Sequence, residues 1–326
     1  MGTNGTINGN IQNEAAGAIY IVLFLIGAAA NGFNLWDLRQ RRGKITFLYM
    51  INLAVSDSVL CCSLPFRAVY YFKTNDWNAT SAECYVTAFV SISVFYVNMY
   101  SSIIFLLWIG ITRYVIIVRP KSGIFILFLK PGLIKPLCFV TWIIPCLTVF
   151  PVIIHYFTGQ YSKDSKSCFT FIKYELGSHQ TAHVLGSIAF FFILVMLLIF
   201  YSLLVWHLQK SRRNNVVMKL QSGSLKVRRK ILASVLMFVV CFMPYHIQRI
   251  VMLSQDPKNC TTQDRLYTAK YGTLLLAAFS CCIHPLLHLC LRSRFCKAGT
   301  ISMNMNSISE NANSNRTTKP TETTNK

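Results

Sequence analysis

The sequence has 326 residues, of which 53% are hydrophobic and 13% are charged, and its formal net charge is +21. Soluble domains carry about 25% charged residues, so this composition excludes an ordinary soluble domain and indicates an integral membrane protein. The strong positive charge raises the alternative of nucleic-acid binding. The cations alternate with long apolar segments and form no compact basic domain, which argues against that alternative.

Seven apolar segments follow a polar N-terminal stretch, and each can supply the ~20 residues that cross a bilayer as a helix. The segments cover residues 17–38, 45–72, 85–115, 133–156, 181–208, 227–254 and 266–291. They predict an all-α fold, a seven-transmembrane helix bundle whose termini lie on opposite sides of the membrane. We predict three regions. They are a disordered extracellular tail at 1–16, the bundle with a short amphipathic helix after its seventh segment at 17–298, and a disordered cytoplasmic tail at 299–326.

The distribution of positive charge predicts which loops face the cytoplasm. Lys and Arg concentrate in the first, third and fifth connections and after the seventh segment, whereas the other connections mix fewer cations with acids. Since short cytoplasmic loops are enriched in Lys and Arg, we predict an extracellular N-terminus. The sequons at Asn4, Asn78 and Asn259 then lie outside, and we predict that they are glycosylated.

The sixth segment combines a proline with two cationic side chains. Pro244 cannot donate a hydrogen bond to the carbonyl of Val240, so we expect the helix to kink there. His246 and Arg249 are three residues apart and share a helical face. Polar groups at this depth are costly unless they face a cavity, which predicts a ligand site beside a kinked helix.

Polar residues and prolines form motifs that occur in a fixed order along the segments. They are Asn31, Asn52-Leu53-Ala54-Val55-Ser56-Asp57, Thr112-Arg113-Tyr114, Trp142, Tyr201, Cys241-Phe242-Met243-Pro244-Tyr245 and His284-Pro285-Leu286-Leu287-His288. In this order they resemble the rhodopsin-like (class A) G-protein-coupled receptors over about residues 17–298. Leu64-Pro65-Phe66-Arg67 and the pattern Cys-Phe-x-Pro-Tyr-His-x-x-Arg resemble the purinergic-receptor-like branch, which includes nucleotide receptors, lipid-mediator receptors and orphans.

This resemblance implies a plasma-membrane receptor that signals to heterotrimeric G proteins when its sixth helix moves outward. The residues with coupling or switch roles would be Arg113, Tyr114, Tyr201, Phe242, Pro244 and Pro285. An inhibitory-class G protein is the usual partner of such relatives, and arrestin is a further expected partner. The resemblance also implies a disulfide bond between Cys84 and Cys168 on the oxidising outer face.

Cations and aromatic residues collect in the outer half of the predicted bundle. They are the cations Arg67, Lys173, His246, Arg249 and Lys270 and the aromatic residues Phe95, Tyr96, Tyr245 and Tyr271. Convergent cations in a partly dry cavity favour phosphate or carboxylate, and aromatic rings can hold an apolar or base-like moiety. We therefore predict an anionic small-molecule or lipid ligand, namely a nucleotide, a lysophospholipid or a carboxylate. In the alternative, Arg67 and Lys270 face lipid headgroups or pair with outer acids. Those acids are Glu83, Glu175 and Asp264.

Asp57 is a carboxylate near the middle of the membrane, where it is costly unless it is hydrogen-bonded or paired with an ion. The resemblance implies a polar cluster of Asp57 and Asn31 that can hold a sodium ion. The alternative is an interhelical hydrogen bond without an ion. Both interpretations stay open because His284 stands where the family usually has Asn or Asp.

Four positions depart from the pattern of the family. Thr112 replaces the acid that restrains Arg113, which would either raise basal activity or weaken coupling. His288 and Ile193 replace a usual Tyr and Pro. His284 and His288 share a face, which permits a metal site or pH switch, or simple helix packing.

These departures motivate an alternative function, a non-signalling decoy or scaffold receptor that binds ligand without coupling. We do not expect an enzyme, because the sequence has no Gly-rich phosphate loop, spaced metal ligands or carboxylate pair typical of a membrane protease. A channel or transporter is disfavoured because there is no internal repeat.

Overall fold

The computed structural model describes residues 3–40, 46–73, 81–118, 129–158, 178–213, 218–254, 260–287 and 289. Its helices are α1 Thr3–Gln40, α2 Thr46–Phe72, α3 Ala82–Val118, α4 Pro131–Thr158, α5 Ser178–Arg213, α6 Met218–Ser254 and α7 Cys260–Ala278. A turn at Phe279 follows α7, and the chain is helical again over residues 280–287, a segment that we count with α7 because both parts belong to one candidate span, Thr268–Leu287.

Seven of the described helical segments are long and apolar enough to cross a membrane. The described residues contain no strand. The outward faces carry large apolar side chains, such as Phe139, Leu147 and Phe192, which are about two-thirds exposed in the isolated chain. Apolar faces of this kind suit the hydrocarbon of a membrane. A helix can lie in that hydrocarbon because it satisfies its backbone polar groups internally. The predicted all-α seven-helix bundle is confirmed.

The core of the bundle is an apolar cluster shared by six helices. Tyr20, Leu60, Phe95, Phe190 and Phe242 are fully or almost fully buried in it and come from α1, α2, α3, α5 and α6, with further members from α7. Close packing of these rings fixes how the helices are rotated about their axes. That rotation decides which polar side chains point inward.

Helix α4 packs at the periphery, against α2 and α3. The Nε1 of Trp142 donates a hydrogen bond to Oδ1 of Asn52 at 3.0 Å. The Nε1 of Trp108 donates to Oγ1 of Thr141 at 3.1 Å, and Trp108 also stacks on Tyr49. Two indole donors thus tie α4 to the bundle.

The N-terminal region differs from the prediction of a disordered tail at 1–16, because α1 begins at Thr3. Nucleation is the costly step of helix formation, so an existing helix can extend into a neighbouring segment, although Gly5 and Gly9 each disfavour the extension. The sequence of α1 contains no Pro. Its membrane-spanning part begins at Asn13, so the first polar turns project beyond the span.

Helix α6 is continuous through Pro244, which therefore acts within a helix and does not end it. Pro285 lies beyond the turn at Phe279 and has no N–H for the carbonyl of Cys281. The Nδ2 of Asn31 donates a hydrogen bond to that carbonyl at 2.8 Å. Helix α1 thus satisfies the acceptor that the proline leaves free.

Several predictions concern residues outside the described part of the chain. These are the cytoplasmic tail with the helix expected after α7, Cys168, Lys173, Glu175, His288 and the sequons at Asn78 and Asn259. The side chains of Asn4 and Asp264 also belong to this group. Cys84 is disulfide-bonded, while its predicted partner lies outside the described residues.

Candidate functional site

Arg249 on α6 is held inside an aromatic enclosure. It is only 8% exposed, and its Nη1 donates a hydrogen bond to the hydroxyl of Tyr100 at 3.1 Å. Its Cζ lies 5.7 Å from the ring centre of Tyr96 and 5.9 Å from that of Tyr245. Its Nε is buried without a hydrogen-bond partner. The guanidinium thus keeps a free donor.

Three aromatic rings link α3 to α6 beside this arginine. The hydroxyls of Tyr96 and Tyr245 are hydrogen-bonded at 2.7 Å. Phe95 packs edge-on against both rings, with centroid distances of 5.6 Å and 6.0 Å. A ligand that contacts Arg249 therefore also meets a wall that joins the two helices.

Gly186 on α5 and Tyr100 on α3 complete the enclosure, and the sequence analysis missed both. A Cβ added at Gly186 would overlap the hydroxyl of Tyr100 and lie 3.5 Å from Nη1 of Arg249. A glycine is therefore needed where the tyrosine approaches α5. The sequence did hold a signal for Tyr100, because it is four residues after Tyr96 and so lies on the same face of α3.

Arg67 on α2 is also directed inward. It is 8% exposed, and its Cζ lies 5.2 Å from the ring centre of Phe95 and 5.8 Å from that of Tyr20. Its Nη2 donates to the carbonyl of Ser91 at 3.5 Å, a long hydrogen bond. The alternative in which Arg67 faces lipid headgroups does not match this placement.

Lys270 on α7 is the third buried cation, with 7% of its surface exposed. The positive charges of Arg249 and Arg67 both repel it, so the three belong to one electrostatic group. We call Arg67, Arg249 and Lys270 the outer cation group. Like charges in a medium of low dielectric constant repel strongly, and a bound anion would offset this cost.

The outer cation group has no acidic partner among the described side chains. Glu83, one of the acids considered as a partner, pairs with Lys73 at 2.5 Å on the exposed surface. The described residues contain no ion pair between the outer cation group and a carboxylate. The positive charge therefore stays uncompensated in this part of the bundle.

Two of the predicted ligand residues have different surroundings from the outer cation group. His246 is fully buried, and its ring stacks on Phe190 at 3.8 Å, while both ring nitrogens lack a hydrogen-bond partner. Its ring also lies edge-on to Tyr100 at 6.3 Å and to Tyr245 at 5.4 Å, so His246 packs between α5 and α6 beside the rings that enclose Arg249. Tyr271 is 41% exposed and meets Tyr71 edge-on, so it lies at the margin.

A groove of about 710 Å³ between α5 and α6 lies outside the cation group. Its walls are almost wholly apolar. They are formed by Val184, Ser187, Ile188, Phe191, Phe192, Val195, Ile250, Leu253 and Ser254. Lipid chains are the natural filling of an apolar groove on the outside of a membrane bundle. The lining of this groove therefore offers no charged side chain to an anion.

The deep polar residues form two separate networks. Oδ2 of Asp57 lies 3.0 Å from Nδ1 of His284, and Oδ1 of Asp57 accepts a hydrogen bond from Nδ2 of Asn98 at 3.5 Å. Asn31 bonds instead to the carbonyls of Gly27 and Cys281, at 2.9 Å and 2.8 Å. The predicted pair of Asn31 and Asp57 is therefore not joined by a direct hydrogen bond in the described structure.

The described residues include no group of three or more His, Cys, Asp or Glu side chains that could hold a metal ion. The fit to sodium can be judged from the groups around Asp57. One carboxylate oxygen accepts from the amide of Asn98, and the other lies 3.0 Å from Nδ1 of His284, which donates to it in the Nδ1–H tautomer. Hard cations require oxygen ligands with free lone pairs. This donor set does not fit sodium and matches the alternative of an interhelical hydrogen bond.

Comparison with known proteins decides the family. The sequence profile described as 7 transmembrane receptor (rhodopsin family) matches residues 36–288, which is more than half of the chain. The chain belongs to this family. It is a multi-pass plasma-membrane receptor of the G-protein-coupled class, and the matched family and relatives are receptors and not enzymes.

Several relatives cover most of the receptor. It is 31% identical to cysteinyl leukotriene receptor 1 of Sus scrofa over 297 residues, which is 87% of this chain and 83% of the relative. It is 26% identical to probable G-protein coupled receptor 82 of Homo sapiens over 306 residues, covering 88% and 91% of the two chains. It is 29% identical to G-protein coupled receptor 183 of Bos taurus over 278 residues, covering 82% and 75%. The sequence Trp108-Ile109-Gly110-Ile111-Thr112-Arg113-Tyr114 also resembles the second of these relatives, and the match over most of both chains confirms that likeness.

The cytoplasmic half of the receptor carries the predicted coupling residues. Arg113 is half-buried and has no ion pair in the described structure. Thr112 donates hydrogen bonds to its own helix, at the carbonyls of Trp108 (2.8 Å) and Ile109 (3.0 Å). The Thr112 hydroxyl is therefore engaged by the backbone of its own helix.

The predicted switch residues pack between α3, α5 and α6. Tyr114 meets Phe200 edge-on, and Tyr201 packs against the buried cluster that includes Leu204 and Val235. In the core, Phe242 is fully buried two residues before Pro244 and lies against Phe238, with ring centres 4.9 Å apart. A movement of α6 must therefore break aromatic packing near its proline.

Proposed function

We propose that the receptor binds an anionic extracellular ligand between α2, α3, α6 and α7 and signals by outward movement of α6. The observation that carries this proposal is the outer cation group. Its three cations are buried, mutually repelling and without an acidic partner among the described residues. A phosphate or carboxylate would relieve that repulsion and use the free donor of Arg249.

The ligand class follows from the walls of the site. Tyr96, Tyr245 and Phe95 provide apolar surface next to the cations. A nucleotide, a lysophospholipid and an organic carboxylate each combine an anion with a base or an apolar part. One relative is named for cysteinyl leukotrienes, which favours testing lipid carboxylates first.

The mechanism is a shift between two conformations of the receptor that exist before the ligand arrives. A ligand shifts such an equilibrium only by its difference in affinity for the two states. Arg249 lies five residues beyond Pro244 on the same helix. An anion that binds Arg249 therefore attracts the part of α6 on the outer side of the proline. The inner arm then moves away from Arg113 and Tyr201, opening the cleft for a heterotrimeric G protein. An inhibitory-class G protein is the proposed partner, and arrestin is a second one.

A ligand screen with a matched pair of variants tests the anionic site. Cells that express the receptor are exposed to nucleotides, lysophospholipids and small carboxylates, and dissociation of G proteins is measured. Arg249→Ala should weaken an active ligand by about 1.5–3 kcal/mol, or roughly 10- to 150-fold in potency, because a charge-assisted hydrogen bond is lost.

Lys73→Ala is the control for that variant. Lys73 is an exposed cation at the outer end of α2, and its partner is Glu83. Removing it changes the net charge by the same amount and should leave potency within about twofold, since exposed ion pairs contribute little. Equal losses in the two variants, or no loss with Arg249→Ala, would contradict the anionic site.

A decoy or scaffold receptor is the second candidate function. Thr112 bonds only to its own helix, and Arg113 has no described ion pair, so the usual restraint at this position is missing. Such a receptor would bind the anionic ligand and reach the cell surface, yet no G protein would dissociate. That outcome separates the two functions.

A further inference from the structure

Asp57 and His284 form a closed pair in the middle of the bundle. The side chains are 2% and 6% exposed, and Nδ1 of His284 lies 3.0 Å from Oδ2 of Asp57. The other carboxylate oxygen accepts from the amide of Asn98 at 3.5 Å. An Nδ1–H tautomer of His284 satisfies this geometry, because a carboxylate can only accept.

The pair joins α2 to α7 in the interior of the bundle, where an unpaired carboxylate is costly. A buried carboxylate must be met by hydrogen bonds or by a counter-charge. Here the chain itself supplies both donors, from α3 and α7. A hard cation would have to displace the N–H of His284 from Oδ2, and nitrogen is a poor ligand for such a cation.

We propose that the imidazole of His284 takes the place of a cation beside Asp57, so that the polar core of this receptor excludes sodium. The contact between α2 and α7 is then made by two side chains of the receptor itself and does not depend on the salt. The equilibrium between the receptor's conformations responds to ligand and G protein, and it is indifferent to sodium. This inference does not depend on which ligand the receptor binds.

One substitution at His284 should allow sodium to bind beside Asp57. Oδ1 of Asn98 is buried and has no hydrogen-bond partner. Replacing His284 with Asn removes the N–H that covers Asp57 and supplies an amide oxygen. The amide of Asn98 can turn its oxygen to the same space. A carboxylate with two amide oxygens is a donor set that suits a hard cation.

The test measures thermal unfolding of the full-length receptor in detergent, followed by tryptophan fluorescence, in sodium chloride and in choline chloride of equal ionic strength. The wild-type Tm should be the same in the two salts. His284→Asn should have a lower Tm in choline chloride and gain about 2 °C or more in sodium chloride, because an ion that binds only the folded state stabilises it.

Two further variants keep the test decisive. His284→Asp places a second carboxylate beside Asp57, so its folding should depend on sodium even if His284→Asn is not recovered. The double variant Asp57→Asn, His284→Asn lacks the carboxylate and should show no sodium effect. A sodium-specific rise of Tm in the wild type would overturn the proposal. The proposal would also be overturned if neither single variant, or the only one that is recovered, showed a sodium-specific rise of Tm.

Discussion

At the scale of single residues, the position of Arg249 depends on a missing side chain on another helix. Gly186 lets the hydroxyl of Tyr100 lie against α5, where it accepts the hydrogen bond from Arg249. An added methyl group must displace either the ring or the helix, because buried interiors have no spare volume. Small residues at helix contacts are also what lets membrane helices approach closely.

Gly186→Ala should therefore lower the free energy of unfolding by up to about 2 kcal/mol, since overpacking costs ~1–3 kcal/mol and better helix propensity returns ~1. Gly272→Ala is the matched control, because a Cβ at Gly272 meets nothing within 4 Å. It should be neutral or stabilising by up to about 1 kcal/mol. Thermal unfolding of the two variants measures the difference.

The same contact predicts a coupling between the two positions. Tyr100→Phe removes the hydroxyl that the added methyl group would strike, and it also removes the acceptor of Arg249. Gly186→Ala should therefore lower the Tm less in a Tyr100→Phe background than in the wild type. Equal Tm values for Gly186→Ala and Gly272→Ala would show that the close approach of Tyr100 to α5 is not a constraint.

At the scale of helices, α1 and α7 are coupled through one carbonyl. Pro285 deprives the carbonyl of Cys281 of its helical donor, and Nδ2 of Asn31 replaces that donor at 2.8 Å. A buried carbonyl without a donor costs about 1–3 kcal/mol. The amide on α1 is therefore part of the reason that α7 tolerates a proline within the bundle.

A double-mutant cycle can measure this coupling. Asn31→Ala should lower the free energy of unfolding by about 1–3 kcal/mol, because the carbonyl of Cys281 loses its donor. In a Pro285→Ala background the helix supplies its own N–H, so the same change should cost less, with a coupling energy of about 1 kcal/mol or more. Additive effects of the two substitutions on Tm would show that the bond does not compensate for the proline.

At the scale of the whole molecule, the outer and inner halves of the bundle differ in how their cations are held. The outer cation group is enclosed by aromatic rings, whereas Arg113 on the inner side has no described ion pair. An ion pair next to Arg113 would stabilise the resting state by about 0.2–1 kcal/mol if it is exposed and by more if it is buried. Its absence predicts signalling without ligand.

Thr112→Asp should therefore reduce the basal dissociation of G proteins by about two- to fivefold at equal surface expression. Arg113→Ala should abolish both basal and ligand-evoked dissociation. Thr112→Ser is the control, because it keeps the hydroxyl and should behave as the wild type. Thr141→Asp would not serve as a control, because the hydroxyl of Thr141 accepts a hydrogen bond from Trp108. A surface-expressed receptor with no basal or ligand-evoked signal would favour the decoy function.

Comparison of the sequence predictions with the structure shows where local pattern suffices. The spans and the order of the motifs follow from apolar length and residue identity. The inward position of Arg67 does not, because a position facing lipid headgroups was an open alternative until packing placed it against Phe95 and Tyr20. The different surroundings of His246 and Arg249 do not follow from the sequence either. Three helical residues turn by about 300°, which leaves two side chains roughly 60° apart. That offset is enough for His246 to stack on Phe190 of α5 while the guanidinium of Arg249 donates to the hydroxyl of Tyr100 on α3.

The sequence by itself determined the seven-helix architecture, the family and the cations of the outer half, because bilayer thickness and residue chemistry act locally along the chain. Only the tertiary structure decided that Asn31 serves the carbonyl of Cys281, that His284 closes Asp57, and that Gly186 admits Tyr100. Each of these depends on how two distant helices are rotated against each other. That rotation is set by close packing of the whole core, which periodicity along a single helix does not encode.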